Sequence, residues 1–115
     1  AVRFLAGNLL IKLKRFEEAV THLEAAAAVR PTDARTLAAA GYAMFKIGQL
    51  DGAVQRLDAA VQADPNFALG WYHLGTVHQQ LGQRDEAIAA FSMAVRLKPR
   101  FRQARQALEA LQQGR

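Results

Sequence analysis

A 34-residue interval between equivalent residues constrains the fold of this chain more than any other feature. The three prolines are Pro31, Pro65 and Pro99, and the differences 65 − 31 and 99 − 65 both equal 34. The same interval separates three glycines and two sets of alanines, which are Gly7, Gly41 and Gly75, then Ala19, Ala53 and Ala87, then Ala26, Ala60 and Ala94. Four sets of residues in one register indicate tandem copies of one structural unit.

Each unit has the pattern of two short helices joined by a tight turn, and residues 71–99 show it most clearly. One apolar face recurs there at three- and four-residue steps, as Trp71, Leu74, His78 and Leu81. Gly82 then interrupts the pattern. Asp85 and Glu86 follow where the dipole of a second helix favours acids, and Pro99 ends that helix.

The repeat predicts three units over about residues 1–33, 34–67 and 68–101, followed by a capping helix over about 101–113. The last segment has a stripe of Phe101, Ala104, Leu108 and Leu111 opposite a polar side, which is what closes the end of a repeat stack. Thr32 and Asp33 are the predicted N-cap residues of the second unit, and Asn66 that of the third. We therefore expect seven helices and no strand in one domain.

Composition excludes several classes of protein. The absence of cysteine excludes disulfides, cysteine-based zinc sites and a thiol nucleophile. No apolar run reaches the roughly 18 residues of a membrane-spanning helix. Ala1 begins within a helical pattern and without an initiator methionine, so we expect a fragment of a longer protein. The compartment remains undetermined, with a soluble cytoplasmic protein slightly favoured.

The third unit resembles the tetratricopeptide repeat (TPR) family, whose 34-residue pattern is W-x2-L-G-x2-Y, then A-x3-F, then P. The matching residues are Trp71, Leu74, Gly75, Ala87, Phe91, Ala94 and Pro99, with His78 in place of the tyrosine. The first and second units keep the glycine, the alanines and the proline, but they have Arg3 and Leu37 where the family has tryptophan. The resemblance implies an all-α, right-handed superhelix (an α-solenoid) of three helix–turn–helix repeats and a capping helix.

The resemblance also implies where a partner would bind, because peptide ligands of the family contact the inner face of the first helices. Carried over by register, the predicted peptide-binding groove contains Phe4, Asn8, Lys12, Arg35, Tyr42, Phe45, Lys46, Tyr72, Thr76 and Gln79, with Ile11, Ala38, Leu69 and Gln80 beside them. Aromatic rings next to cations suit a peptide with apolar anchors and an acid. The predicted function is a protein–protein interaction scaffold that binds a partner segment in this groove, although packing within the stack would also explain Tyr42 and Phe45.

One specialised groove of the family is a poor match. The clamp that binds C-terminal carboxylates needs a lysine and an asparagine in the first unit, an asparagine in the second, and a lysine and an arginine in the third. Only Asn8 falls in place, and the other positions are occupied by Phe4, Ala39, Leu69 and His73. The sequence therefore argues against a cochaperone of this kind.

Enzymatic readings find no support, and we expect no catalytic residue, cofactor or metal. The histidines lack the i, i+4 spacing of a helical metal site, and Ser92, the only serine, has no nucleophile motif around it. A packed histidine is the preferred explanation of His78.

Two further partner hypotheses concern the ends of the chain. The cations Arg96, Lys98, Arg100, Arg102 and Arg105 have no acid between them, so docking of nucleic acid or an anionic surface is the alternative function, although a solvated end face is the simpler explanation. At the other end Val2, Leu5 and Leu9 have no preceding unit to pack against, which predicts self-association through the open N-terminal end.

Overall fold

The computed structural model describes residues 2–114, so Ala1 and Arg115, the ends of the predicted domain, lie outside the described residues. Within 2–114 the chain forms seven helices and no strand. They are α1 (Val2–Lys12), α2 (Phe16–Val29), α3 (Ala34–Lys46), α4 (Leu50–Ala63), α5 (Ala68–Gln80), α6 (Arg84–Leu97) and α7 (Arg102–Gln113). The predicted all-α stack of helical hairpins is confirmed.

The turn inside each hairpin has the same hydrogen bonds. After α3 the N–H of Gln49 donates to the carbonyl of Met44 at 2.9 Å, and after α1 the N–H of Arg15 donates to Leu10 at 2.8 Å. This bond pattern needs one residue in the left-handed region. Gly48 and Gly82 supply it with φ of 84° and 76°, whereas in the first unit Lys14 adopts φ of 60°.

The repeated glycines allow the two helices of a hairpin to approach closely. A Cβ atom added to Gly41 would lie 2.7 Å from Cγ of Leu57, and one added to Gly75 would lie 2.7 Å from Cδ1 of Phe91. Real Cβ atoms do not approach other heavy atoms so closely. The glycine column therefore leaves the space that Leu57 and the fully buried Phe91 fill.

Units stack because the second helix of each contacts the first helix of the next, as α2 contacts α3 and α4 contacts α5, and α7 continues the stack on α6. The first helices are also neighbours, since α1 contacts α3 and α3 contacts α5. The alanines of the second helices are fully buried, including Ala53 and Ala87. The product is an elongated body of 41 × 25 × 21 Å whose α1, α3 and α5 lie side by side.

One of the predicted helix caps is confirmed and one is wrong. Asp33 is the N-cap of α3, where its carboxylate accepts hydrogen bonds from the N–H of Arg35 and the hydroxyl of Thr36. The N-cap of α5 is Phe67, not Asn66, and Phe67 makes no side-chain cap bond. The N–H of Asn66 instead donates to Oδ1 of Asp64, so this turn is organised by the acid two residues earlier.

The last described helix, α7, packs on α6. Its Ala104 is fully buried, and its outer side is polar. The guanidinium of Arg84 donates to the carbonyls of Leu111 and Gly114, which satisfies acceptors at the end of the helix. None of the described helices is both long enough and apolar enough to cross a membrane.

Candidate functional site

A cavity of about 490 Å³ opens between α1, α3 and α5, the three first helices of the stack. We call it the groove cavity, and its lining residues are Phe4, Asn8, Ile11, Arg35, Ala38, Ala39, Tyr42, Phe67, Leu69 and His73. Most of these are apolar or aromatic, one is cationic, and none is acidic. A few polar groups in an apolar concavity are typical of a site that binds a side chain or a small molecule.

Arg35 is the charged group of the groove cavity. Its carbon Cζ lies 5.1 Å from the centre of the Phe4 ring, which is within cation–π distance. Its Nε is 4.0 Å from Oδ1 of Asp33, a long contact that leaves the arginine side chain 70% exposed. The guanidinium therefore keeps donors available for a carboxylate placed at the edge of the cavity.

A row of rings runs along the first helices and joins all three units. The centre of the Tyr42 ring is 6.2 Å from that of Phe16 and 4.8 Å from that of His73. His73 is in turn 5.6 Å from Tyr72, which lies 5.0 Å from Phe101 at the start of α7. Ring pairs at these distances stabilise one another beyond the apolar area that they bury. The row therefore consists of partly buried rings in contact with one another across the three units.

Lys46 lies among three aromatic side chains, two of which belong to this row. Its Nζ is 5.8 Å from the ring centres of Phe16 and Tyr42, and 5.9 Å from that of Phe45. The rings fix the position of an exposed ammonium group on the same side of the molecule as Arg35. The face thus carries two cations with an aromatic surface between them.

His73 is a neutral member of the groove cavity. Burial lowers its pKa from 6.5 to about 4, because the charged imidazolium would lose its hydration among Tyr42, Tyr72 and the cavity wall. At neutral pH the ring is therefore uncharged. It can offer one N–H donor and one acceptor nitrogen to a ligand.

The predicted groove residues fall into three groups. Phe4, Asn8, Arg35 and Tyr42 line the groove cavity, as do the neighbouring Ile11, Ala38 and Leu69. Phe45 and Lys46 line a second, smaller cavity with Gln80. The remaining four, Lys12, Tyr72, Thr76 and Gln79, line neither cavity.

Two of the remaining four make contacts that explain them without a ligand. Tyr72 packs on Phe91 and Phe101, with ring centres at 5.8 and 5.0 Å. The hydroxyl of Thr76 donates to the carbonyl of Tyr72 at 3.0 Å. Lys12 and Gln79 are exposed. A binding role for the ten residues remains a prediction, and the cavity favours four of them.

The sequence analysis did not assign three of the cavity residues, Ala39, Phe67 and His73, to the groove. It names Ala39 and His73 as departures from the carboxylate clamp, although that register already places both on the inner face. Phe67 precedes α5 at a turn, and its contacts with the neighbourhood of Gly70 and Val61 depend on how the turn closes. Helical periodicity gives no signal for such a residue.

The described residues contain no group of three or more His, Asp and Glu side chains that could hold a metal ion. His22 lies on α2, whereas His73 and His78 lie on α5. Nδ1 of His78 is 2.7 Å from Oε1 of Gln83, so the side chain of this α5 histidine is held by the residue before α6. The described face combines aromatic rings, the cations Arg35 and Lys46, and the neutral His73.

Comparison with protein families gives matches along most of the chain. A family model described as TPR repeat matches residues 7–48 and again 41–82. A second model, described as Tetratricopeptide repeat, matches residues 68–101. A comparison with curated proteins found no significant match.

Solved structures of similar fold include the TPR domain of Arabidopsis OM64, with a TM-score of 0.94 and 24% identity over 99% of this chain and 94% of that one. The first TPR of Spaghetti (RPAP3), bound to the HSP90 peptide SRMEEVD, has a TM-score of 0.93 and 19% identity, covering 97% and 89% of the two chains. The second TPR domain of human RPAP3, in complex with the HSP70 peptide SGPTIEEVD, has a TM-score of 0.90 and 23% identity, covering 96% and 92%. At these identities the structures show a shared fold.

Proposed function

Because this chain belongs to the tetratricopeptide repeat family, we propose that it is a protein–protein interaction scaffold that binds a segment of a partner against α1, α3 and α5. The observation that carries this proposal is the groove cavity, an apolar concavity of about 490 Å³ with the exposed guanidinium of Arg35 at its edge. A partner side chain in the cavity would be desolvated, as the anchors of tight interfaces are.

The complexes of Spaghetti and human RPAP3 support peptide binding by this fold. Both peptides end in Glu-Glu-Val-Asp. This chain departs from the family's carboxylate clamp, as Phe4, Ala39, Leu69 and His73 replace its charged and amide groups. Four substitutions toward apolar or neutral residues favour a different anchor, namely an aliphatic or aromatic side chain in the groove cavity.

The charges on this face indicate which residue should accompany the anchor in the partner segment. Arg35 and Lys46 are exposed cations on this face, and no acid lines the groove cavity in the described part of the chain. A carboxylate near the anchor would pair with one of them, chiefly accelerating association, because exposed charges act more on the rate of encounter than on affinity. We therefore propose a segment with an apolar anchor and a neighbouring Asp or Glu.

Selection from a displayed library of random peptides tests the proposal. We expect enriched peptides to share an apolar or aromatic residue within about two positions of an acid. Tyr42→Ala should weaken the best peptide about 30-fold or more, since loss of a buried anchor contact costs about 2 kcal/mol. Arg35→Glu should weaken it less and mainly by slowing association at low salt.

Arg100→Glu is the matched control, because it reverses an equally exposed cation outside the face. The Arg100→Glu variant should bind the selected peptide with the same affinity as the unchanged protein. Peptides that bind all three variants alike would refute the groove assignment.

The alternative function, docking of an anionic surface, has one observation in its favour. The five cations between Arg96 and Arg105 are all exposed, and residues 96–105 contain no acid. Two of them are already engaged, as Lys98 lies 5.5 Å from the Phe101 ring centre and Arg105 donates to the carbonyl of Pro99. Binding of an RNA or DNA oligomer that weakens steeply with salt would support this alternative, and absence of binding at low salt would remove it.

A further inference from the structure

Two alanines of the middle helix, Ala38 and Ala39 of α3, contribute to the lining of the groove cavity. The other two units have larger residues at the positions 34 residues away, which are Phe4 and Tyr72 for Ala38, and Leu5 and His73 for Ala39. The small side chains of α3 thus leave space between α1 and α5 that larger ones would take. The cavity is therefore a feature of the second unit and not of the repeat in general.

The lining of the groove cavity is rich in aromatic rings. Phe4, Tyr42, Phe67 and His73 all contribute, and the ring centres of Tyr42 and His73 lie 4.8 Å apart. Aromatic rings in edge or offset contact gain stability beyond the apolar area that they bury. Leu69, also in the lining, is 44% exposed and offers apolar surface to a ligand. The lining therefore favours an aromatic ligand group over an aliphatic one.

Three polar side chains of the lining have no hydrogen-bond partner among the described residues. They are the amide of Asn8, the hydroxyl of Tyr42 and the imidazole of His73. Among the described side chains, no nitrogen or oxygen is both buried and unpaired, so these polar atoms are accessible to solvent. A hydrocarbon group placed in the cavity would exclude that water and leave them unpaired, which opposes its binding.

His73 and Asn8 have the chemistry to pair with a hydroxyl group. Burial lowers the pKa of His73 to about 4, so at pH 7 the neutral ring has one N–H donor and one acceptor nitrogen. The amide of Asn8 likewise has both donors and an acceptor. A phenol donates one hydrogen bond and accepts another, so it can pair with either side chain. The indole of tryptophan can only donate, and phenylalanine can do neither.

From the aromatic lining and the unpaired polar groups together we propose that the groove cavity selects a tyrosine of the partner segment as its anchor, with the phenol bonded to Asn8 or His73. These two residues would then determine specificity, because they distinguish tyrosine from phenylalanine. The choice of anchor rests on the function proposed above for the same cavity. The acid beside the anchor pairs with Arg35, whose guanidinium is exposed at the cavity edge.

Tyrosine and phenylalanine are ranked in opposite order by an apolar cavity and by one with unpaired polar groups. An apolar cavity binds phenylalanine more tightly, because a phenol would lose its water without gaining a partner. A cavity lined by Asn8 and His73 binds tyrosine more tightly, because phenylalanine would leave their polar atoms without water or partner. The order of the two affinities therefore distinguishes the two kinds of cavity.

The test is a titration of the full chain, labelled with ¹⁵N, with the peptide Gly-Asp-Tyr-Glu-Gly and with the same peptide carrying phenylalanine or leucine in place of tyrosine. Both ends are capped, so no terminal charge contributes. We expect amide shifts centred on Ala39 and His73. The tyrosine peptide should bind about tenfold more tightly than the phenylalanine peptide, as one additional hydrogen bond to a desolvated group allows.

Variants of the polar residues test their role. The double change Asn8→Leu with His73→Phe should reverse the order, so that the phenylalanine peptide binds more tightly than the tyrosine peptide. Each single change shows which side chain pairs with the phenol. His22→Phe is the matched control, because it makes the same substitution at a partly buried histidine of α2 that does not line the cavity. It should leave the tenfold preference unchanged.

A variant of the alanine position tests the cavity itself. Ala39→Leu introduces the residue that the first unit has at the equivalent position, Leu5. Because the leucine side chain would occupy the groove cavity, all three peptides should lose their binding. Helicity measured by circular dichroism should stay the same, since Ala39 is only partly buried.

The outcomes separate the choice of anchor from the function on which it rests. A phenylalanine peptide that binds as tightly as the tyrosine peptide, with both lost in Ala39→Leu, would overturn the tyrosine anchor alone. A tenfold preference that persists in the double variant would overturn the roles of Asn8 and His73. Binding that Ala39→Leu leaves unchanged, or no shifts with any peptide at millimolar concentration, would overturn both the anchor and the groove function.

Discussion

A single backbone conformation distinguishes the first unit from the other two at the scale of the residue. Lys14 has φ of 60° at the position that Gly48 and Gly82 occupy with φ of 84° and 76°. A residue with a side chain loses about 1–2 kcal/mol of stability in the left-handed region. Glycine avoids this cost, but it also makes the unfolded chain more flexible, which offsets part of the gain. The fold tolerates this cost because the surrounding turn bonds are kept.

Lys14→Gly should accordingly stabilise the protein by about 0.5–1 kcal/mol, measured as the free energy of unfolding in urea. Lys14→Ala is the control, as it removes the charge and keeps the strained backbone, and its stability should stay close to that of the unchanged protein. A similar gain from both variants would mean that the ammonium group, and not the backbone, is responsible.

His73 makes stability depend on pH. Its pKa is about 4 in the folded protein, below the 6.5 of an exposed histidine. Between these values the unfolded chain binds a proton that the folded chain does not, so stability falls as pH falls from 6.5 to 4 and levels off below. Above pH 6.5 the group contributes nothing to this slope.

The loss attributable to His73 should be about 2–3 kcal/mol, measured by chemical unfolding at a series of pH values. His73→Gln removes the titrating group, so the difference between the two curves isolates it from the carboxylates. Curves that remain parallel from pH 7 to pH 4 would contradict the assignment.

At the scale of the helix, two glycines of the same hairpin have opposite roles. Gly41 of α3 faces Leu57, and an added Cβ would also lie 3.1 Å from the backbone carbonyl of Ala53, which cannot move independently of α4. Gly52 of α4 faces only the flexible side chain of Met44, whose Sδ would lie 3.1 Å away. The first glycine is needed for contact between helices, whereas the second weakens its own helix.

Gly41→Ala should therefore destabilise the protein by about 1–3 kcal/mol through overpacking. Gly52→Ala should stabilise it by about 0.5 kcal/mol, because alanine is the better helix former by about 1 kcal/mol and Met44 must shift slightly. Thermal melting of the two variants measures the opposite signs. Destabilisation by both would show that Met44 cannot adjust.

The helices of the three units could be predicted from the sequence because the same pattern of apolar residues, glycine and proline recurs in each unit. Features that differ between units, such as the helix caps, could be predicted only where a single local rule determines the structure. Asp33 fits the N-cap rule and forms the cap. Asn66 does not cap α5, and its N–H donates to Asp64 in the turn before that helix. The groove cavity depends on how Phe67 and His73 pack across units, and no periodicity encodes such contacts.

At the scale of the whole molecule, the stack is held by contacts between neighbouring units, and among the described residues an ion pair adds to the contact between the first two. The guanidinium of Arg56 in α4 binds both carboxylate oxygens of Glu24 in α2, a partly buried pair between successive second helices, and Glu24 raises the pKa of Arg56. The pair thereby adds to the interface between the first two units, and the stability of such a stack depends on interfaces of this kind.

The helices α1 and α7 differ from the middle of the stack in how often they are expected to open. Elements with few buried contacts open most often, and α1 and α7 each bury one of their described residues, Gly7 and Ala104. In native-state hydrogen exchange we expect α1 and α7 to lose their protection first, and α3 to α5 to exchange last. Uniform exchange along the chain would instead indicate one cooperative unit. If opening starts at α1 and α7, exchange in these two helices measures local opening, and exchange in α3 to α5 measures the free energy of complete unfolding.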